Sequence, residues 1–326
     1  MNCLQPVRIE VTNPIYDDLP YRPTRFINVP CGRCPLCMSR KKNEWMFRLK
    51  QTAKYSTDCR FVTFTYNDEN LPGPHQNGKS NVQCFIKRFR KNNGLLGTDF
   101  KYYLIAELGG ELGRLHYHAI FFNTGMTWRQ LYNSVERDWG KGFVKIQTVN
   151  KNRLHYVAKA HMQNINRPKA YRERFVDYKG RTIYRVVRPC NYFFMCCSKG
   201  IGIEFLSEAM INYIRSTGDL AIHENGFTSA LPRYYYLKIY DDGEDLFIEL
   251  KKQRLIKAIE DYENEQKISM GYTSQCADAS RRGCRPPSEP ISWQERKQKA
   301  ERITKKMKKY KFVEPPPETW FRKKKK

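Results

Sequence analysis

Acidic residues are scarce in this chain. Its 326 residues hold 33 Asp and Glu against 59 Lys and Arg, a formal charge of +26, with a pI near 9.6. Such an imbalance points to a polyanionic partner, nucleic acid above all, with a solvated basic surface or tail taking part of the charge. Long hydrophobic runs are missing too: there is no stretch of about 20 apolar residues, so no membrane span is expected. The N-terminal MNCLQPVRIEV has no charged region followed by an apolar core and does not read as a secretory signal. The eleven cysteines, among them the close trio Cys31, Cys34 and Cys37 and the pair Cys196–Cys197, lack the pattern of a secreted disulfide framework and suit a reducing compartment. With 40% hydrophobic and 13% aromatic residues, the chain has ample core for one large domain or two smaller ones.

The chain is organised around KYYLIAELGGELGRLHYHAIFF, residues 101–122. Tyr102–Glu107 and His116–Phe122 read as strands, and Gly109, Gly110 and Gly113 supply a tight turn. Alternation puts His116, His118, Ile120 and Phe122 on one face, with the two imidazoles about 6–7 Å apart along the strand. If the hairpin folds symmetrically about Glu111–Leu112, Glu107 lies opposite His116, where facing Cβ atoms are about 4.5–5.5 Å apart. Glu107, His116 and His118 then form a candidate His/His/carboxylate metal site. Glu111 is the weaker alternative, since the turn holds it away from that face.

Residues 1–30, punctuated by five prolines, read as an extended arm. CGRCPLC follows, two consecutive Cys-x2-Cys steps with the spacing of zinc knuckles; Cys31, Cys34 and Cys37 would need a fourth ligand, with Cys59, Cys84 and His75 available, and the alternative is a reduced buried cluster. Arg40–Tyr55, capped by Ser39, reads as a basic amphipathic helix whose Arg40, Lys41, Lys42 and Arg48 are candidates for phosphate contact. FVTFTY is the strongest strand signal. Val82–Lys91 reads as a second basic helix, packing through Phe85, Ile86 and Phe89 and offering Lys87, Arg88 and Arg90 to DNA; Arg114 in the hairpin is a further candidate. Trp128–Asp138, capped by Thr127, reads as a helix and Trp139–Val149 as a strand.

NRLHYVAKAHMQN, residues 152–164, has a helical pattern in which Tyr156 and Lys159 stand i,i+3 on one face. A phenol normally titrates near pH 10. Nearby positive charge lowers that value toward phenolate, a nucleophile able to attack phosphorus. Taken alone, Tyr156 is more often a packing residue; its interest lies in its company.

FVTFTY, GRLHYHAIFF and YVAKAH, in that order, resemble the motifs of the rolling-circle replication initiators of microviruses, small single-stranded DNA phages of the gokushovirus kind, within the HUH endonucleases. CGRCPLC with the helix after it, NDENLP and SKGIG look similar as well, so the resemblance covers roughly residues 28–210. It implies His116 and His118 as metal ligands with Glu107 third, Tyr156 as nucleophile and Lys159 as its basic neighbour. It also implies an α+β fold: an antiparallel five-stranded sheet with helices on one face and the metal on the other. The implied activity is nicking of single-stranded origin DNA with Mg²⁺ or Mn²⁺, leaving a 5′-phosphotyrosine and a free 3′-hydroxyl for a host polymerase, with a host helicase as a further partner, in the bacterial cytoplasm. One departure stands out. Some relatives carry a second tyrosine a turn later, where this chain has Ala160 and His161, which leaves open how a circle would be closed.

The expected organisation is an N-terminal arm, Cys-rich segment and basic helix (1–57), an endonuclease domain (58–216), a helical extension (217–267) and a basic tail (268–326). AYRERFVDYKGRTIYRVV is an insertion compatible with a hairpin, suited equally to stacking and contacting single strands or to a solvated sheet face. Ile203–Ser216 and Asp242–Gln266 read as helices, as does the basic QERKQKAERITKKMKKYK. The competing readings are an HUH transposase or relaxase with the same chemistry, and a non-catalytic DNA-binding or packaging protein.

Overall fold

The computed structural model describes residues 3–11, 26–73, 76–109, 114–163, 171–176, 180–187, 193–224, 226–240 and 244–308. The chain divides into two compact units, one of Met1–Arg40 with Leu206–Lys309 and one containing Lys41–Phe205. The class is α+β, as expected. No described helix is long and apolar enough to cross a membrane.

In the first unit, β1 (Val7–Glu10) and β2 (Phe26–Val29) pair antiparallel, so the arm is in part a two-stranded ladder. Helix α1 runs Pro35–Tyr55 and crosses the boundary between the units. It begins four residues ahead of the expected cap Ser39, because Pro35 has the fixed φ that suits a first helical position.

The second unit is built on an antiparallel sheet. Its strands are β3 (Cys59–Thr65), β4 (Lys101–Leu108), β5 (Leu115–Phe122), β6 (Val144–Thr148) and, after the paired β7 (Tyr171–Val176) and β8 (Thr182–Val187), β9 (Met195–Cys197). The order is β6-β3-β5-β4-β9, which makes β5 the central strand. Period-two alternation gives β3, β4 and β5 two apolar faces. Val62, Phe64, Leu104, Ala106, Tyr117, Ala119 and Phe121 point one way, onto α2 (Lys79–Asn92) and α3 (Trp128–Trp139), which bury Phe85, Ile86, Phe89, Leu131, Val135 and Trp139 there. Thr127 caps α3 with a complete capping box.

Phe61, Tyr103, Ile105, Ile120 and Phe122 point the other way. Met46 and Leu49 of α1 and Leu154, Val157 and Ala158 of α4 (Lys151–Gln163) cover them. The expectation of helices on one face alone is therefore corrected. A sheet apolar on both faces needs cover on both, and the side carrying the histidines is only partly given over to them.

Other boundaries differ for local reasons. Gly140, left-handed at φ 56°, ends α3 at Trp139, so the following strand starts only at Val144. The segment expected as one helix from Ile203 is a short 3-10 turn, Ile203–Phe205, and then α5 (Glu208–Thr217), which Ser207 caps by accepting the Met210 N–H. In the first unit, β10 (Ala221–Glu224) and β11 (Phe227–Ala230) pair, and α6 (Arg233–Ile239) follows. Helix α7 (Asp245–Arg281) continues past residue 268, and α8 spans Ile291–Lys308.

One glycine pins the site end of β3. Gly142 has φ +152°, and a Cβ there would collide with the backbone of Thr65, Tyr66 and Asn67. That close approach accompanies the bonds Thr65 N–H to Phe143 O and Asn67 N–H to Lys141 O, each 2.9 Å. Gly142→Ala should therefore cost about 1–3 kcal/mol of stability, read as a lower urea midpoint; an unchanged midpoint would show that the close approach is not required.

Candidate metal and nucleophile site

The pairing of β4 with β5 sets Glu107 directly opposite His116, and Thr63 of β3 opposite His118. Glu107 is only 4% exposed, the acidic member of an otherwise apolar strand interior. Its Oε2 lies 3.9 Å from His116 Nε2 and 3.5 Å from His118 Nε2. Two donors that each bind one ion at about 2.1 Å can be no more than about 4.2 Å apart, and both carboxylate–imidazole separations fall within that limit. The three donor atoms all lie within 4.8 Å of one another.

Second contacts aim the rings. His116 Nδ1 is 3.2 Å from the carbonyl of Arg114. A carbonyl only accepts, so Nδ1 carries the proton and the Nε2 lone pair is turned to bind a cation. His118 Nδ1 meets Thr63 Oγ1 at 2.9 Å, while Phe61 stacks on its ring. Such outer partners fix tautomer and orientation in metal sites. Burial, and then the neighbouring His116, push the His118 pKa down to about 3, so this ring is neutral and ligating across the physiological range.

Tyr156 of α4 reaches the same place. Its hydroxyl donates to Glu107 Oε2 at 2.5 Å and its ring meets His118 edge-on, centroids 5.1 Å apart. The side chain is 40% exposed, so a substrate can reach it although Glu107 is closed off. Burial and then the Glu107 charge and hydrogen bond raise its pKa, holding the phenol protonated in the metal-free site. Lys159 moves the opposite way: burial first, then the charge of Lys42 on α1, lower it to about 8. His155 is also lowered, by burial, Lys42 and Lys159. Lys42, His155 and Lys159 thus form a cationic group around the tyrosine.

The remaining predicted contacts are dispersed. Arg114 is held at the rim by Asp68 Oδ1 at 2.5 Å and the Tyr66 carbonyl at 3.0 Å, which gives NDENLP a structural task. Arg48 stacks over Trp45 and donates to the Ile201 carbonyl. Arg88 donates to the Asp138 carbonyl and Arg90 to Ser198 Oγ. With exposed Lys87, these two sit on α2, which packs on the sheet face opposite the histidines. Arg40 and Lys41 are exposed on α1. Glu111 lies outside the described residues, as does His75.

The cysteine trio is gathered as expected, but its fourth member is Cys3 rather than Cys59, Cys84 or His75. Sequence reasoning passed over Cys3, Thr63 and His155. Thr63 could have been found, since alternation along FVTFTY puts it on the histidine face; Cys3 carried no spacing signal.

Comparison with known proteins agrees with this geometry. A family model for the replication-associated protein ORF2 matches residues 59–165. That span holds Glu107, His116, His118, Tyr156 and Lys159. The replication-associated protein ORF4 of Chlamydia phage 1 is 21% identical over 229 residues, 64% of this chain and 52% of that protein. The chain is similar to phage replication-associated proteins. It spans about half the length of the curated relative it matches, and no solved structure matches it.

Thr63→Val keeps the shape of the side chain but removes the partner of His118 Nδ1. It is expected to weaken Mn²⁺ binding by about 10–100-fold in calorimetric titration, and wild-type affinity would remove Thr63 from the site.

Proposed function

We propose that this protein is a replication initiator that nicks single-stranded origin DNA through Tyr156, with an HUH-type fold and a divalent cation at Glu107, His116 and His118. The observation that carries the reading is the convergence of a buried carboxylate, two imidazoles with Nε2 turned inward and a reachable phenol at one place on the sheet.

Two nitrogens and one carboxylate oxygen fit Mn²⁺ better than Mg²⁺, which prefers all-oxygen surroundings. When bound, the cation would polarise the scissile phosphate and offset the charge of Glu107, whose presence otherwise keeps the phenol protonated.

The chain's own residues supply the rest. The Tyr156 Oη forms a bond to phosphorus as the bond from phosphorus to the 3′ oxygen breaks. The departing electron pair stays on that oxygen, which takes up a proton and becomes a free 3′-hydroxyl. The 5′-phosphate remains on the tyrosine, so the phosphodiester energy is kept for rejoining. Lys159, lowered to about 8, is poised to accept the phenolic proton as a neutral amine near neutral pH. Lys42 and His155 face the incoming phosphates from the two helices that flank the site, and Lys41 and Arg40 extend the basic surface along α1. The free 3′-hydroxyl suits extension by a host polymerase, with a host helicase opening the duplex. With no second tyrosine one turn on, at Ala160, a second subunit or the new 3′-hydroxyl would complete the circle.

Tyr156→Phe should leave the fold, Mn²⁺ affinity and DNA affinity nearly unchanged and abolish the covalent adduct on a denaturing gel; an adduct in this variant would move the nucleophile elsewhere, with Tyr171 next to test. His116→Ala and His118→Ala should abolish nicking while keeping most DNA affinity, which is spread over many cations. Nicking at the wild-type rate in the double variant would contradict the metal assignment.

The sign of the pH dependence follows from Lys159. Its amine is protonated below about 8 and neutral above, so the single-turnover rate should rise through that pH and level off. Lys159→Arg, which does not titrate there, should lack the inflection, and Lys159→Ala should be slow but partly restored at high pH. An identical profile in Lys159→Arg would assign the proton to another group.

A further inference from the structure

Away from the nicking site, in the unit formed by the chain's two ends, four thiols meet. We propose that Cys3, Cys31, Cys34 and Cys37 bind one structural Zn²⁺, and that this centre is the platform on which the basic helix α8 is docked.

The sulfurs already stand where a tetrahedral ion would put them. Zn–S bonds of about 2.3 Å give a sulfur–sulfur edge of about 3.8 Å. Cys3 and Cys34 are 3.8 Å apart, Cys3 and Cys37 3.6 Å, and Cys31 and Cys37 4.0 Å. A disulfide needs about 2.05 Å, and all four are free thiols. Four converging thiols in place of two bonded pairs are the donor set of a structural zinc site, closed to further ligands.

The backbone is arranged for thiolate. The N–H groups of Arg33 and Cys34 point at Cys31 Sγ at 3.5 and 3.3 Å, and that of Cys31 points at Cys3 Sγ at 3.4 Å. Burial works against ionisation of Cys31, yet these amides and the neighbouring thiols outweigh it and bring the thiol down to about 6. Cys3 and Cys37 are instead raised by burial. One thiolate among buried neutral thiols is a cluster short of a cation, and a divalent ion would let the others ionise.

What the centre holds in place follows from its packing. Cys3, Cys34 and Cys37 are buried together with Leu36 and with Ala300 of α8, and Ile303, one turn on, packs against them. On the same helix Arg296 pairs with Glu265 of α7 at 2.9 Å and Trp293 meets Tyr272 edge-on. Trp293, Arg296, Ala300 and Ile303 recur at three- and four-residue steps, the stripe of an amphipathic helix. Lys299, Arg302 and Lys305 are left exposed on the other side. Zinc would thus tie residue 3 to the 31–37 turn and give α8 a firm surface, presenting those cations to solvent and to nucleic acid.

The test uses the full chain expressed with zinc supplied, its metal content measured by mass spectrometry, and the apo protein refilled with Co²⁺. Wild type should retain zinc and give the thiolate-to-cobalt charge-transfer band of a tetrahedral sulfur site, a signature the imidazole–carboxylate site cannot produce. Cys3→Ser and Cys31→Ser should lose both. Cys3→His, which keeps four ligands, should retain zinc, and so should Cys84→Ser and Cys276→Ser. Should the serine variants fail to fold, titrating wild type with an organomercurial gives the same answer: zinc released in step with thiol modification supports the site. Amide exchange in α8 should quicken on zinc removal. Wild type that holds no zinc and gives no cobalt–thiolate band, or that holds iron instead, would overturn the proposal. So would zinc retained by Cys3→Ser. Unchanged exchange in α8 would overturn the docking role.

Discussion

The site depends on the register of one β-hairpin. With Glu107 opposite His116, the carboxylate and both imidazoles share a face, and Thr63 on the neighbouring strand meets His118. A slip of one residue would turn Glu107 into the aromatic core among Phe64, Phe85 and Trp139, because side chains alternate strictly along a strand. The apolar residues enforce the choice. Leu104, Ala106, Tyr117 and Phe121 on one face and Tyr103, Ile105, Ile120 and Phe122 on the other are all buried, so any slip would misplace both sets together.

Given that register, burial sets the electrostatics. A carboxylate this enclosed is costly unless it is partnered, and its near neighbours are two imidazoles and a phenol. His118 is held neutral and Tyr156 protonated, so the resting site has every donor in a ligating form and a silent nucleophile. Helix α4 approaches the same face through Leu154, Val157 and Ala158. Its packing therefore delivers Tyr156 to Glu107, and α1 brings Lys42 close enough to depress both His155 and Lys159. In this arrangement the core and the active groups are positioned by the same two helices.

Much of this was legible in the sequence because it rests on short-range periodicity. The Gly-rich turn and the two alternating strands specify the Glu107–His116 pairing, and i,i+3 spacing puts Tyr156 beside Lys159. The second layer of helices is harder to foresee, because the polar residues of the His-bearing face draw attention from Phe61, Ile105 and Ile120, which make it equally apolar. The roles of Arg48 and Arg88 were out of reach for a different reason. Each guanidinium is engaged by a backbone carbonyl, of Ile201 and Asp138 respectively, and no sequence pattern foretells which carbonyl a fold will present. Cys3 joins its trio across 28 residues to Cys31, a long-range closure that Cys-x2-Cys spacing cannot express.

The most direct measurement is the location of the DNA on the protein. Incubation with single-stranded origin DNA and Mn²⁺, nuclease trimming, trypsin digestion and tandem mass spectrometry would read the linked peptide. Cleavage after Arg153 and Lys159 yields LHYVAK, which contains a single tyrosine. The account predicts a residual nucleotide on that peptide, on Tyr156, and none when Mn²⁺ is withheld. A nucleotide on any other peptide, or on this one without a divalent cation, would contradict it.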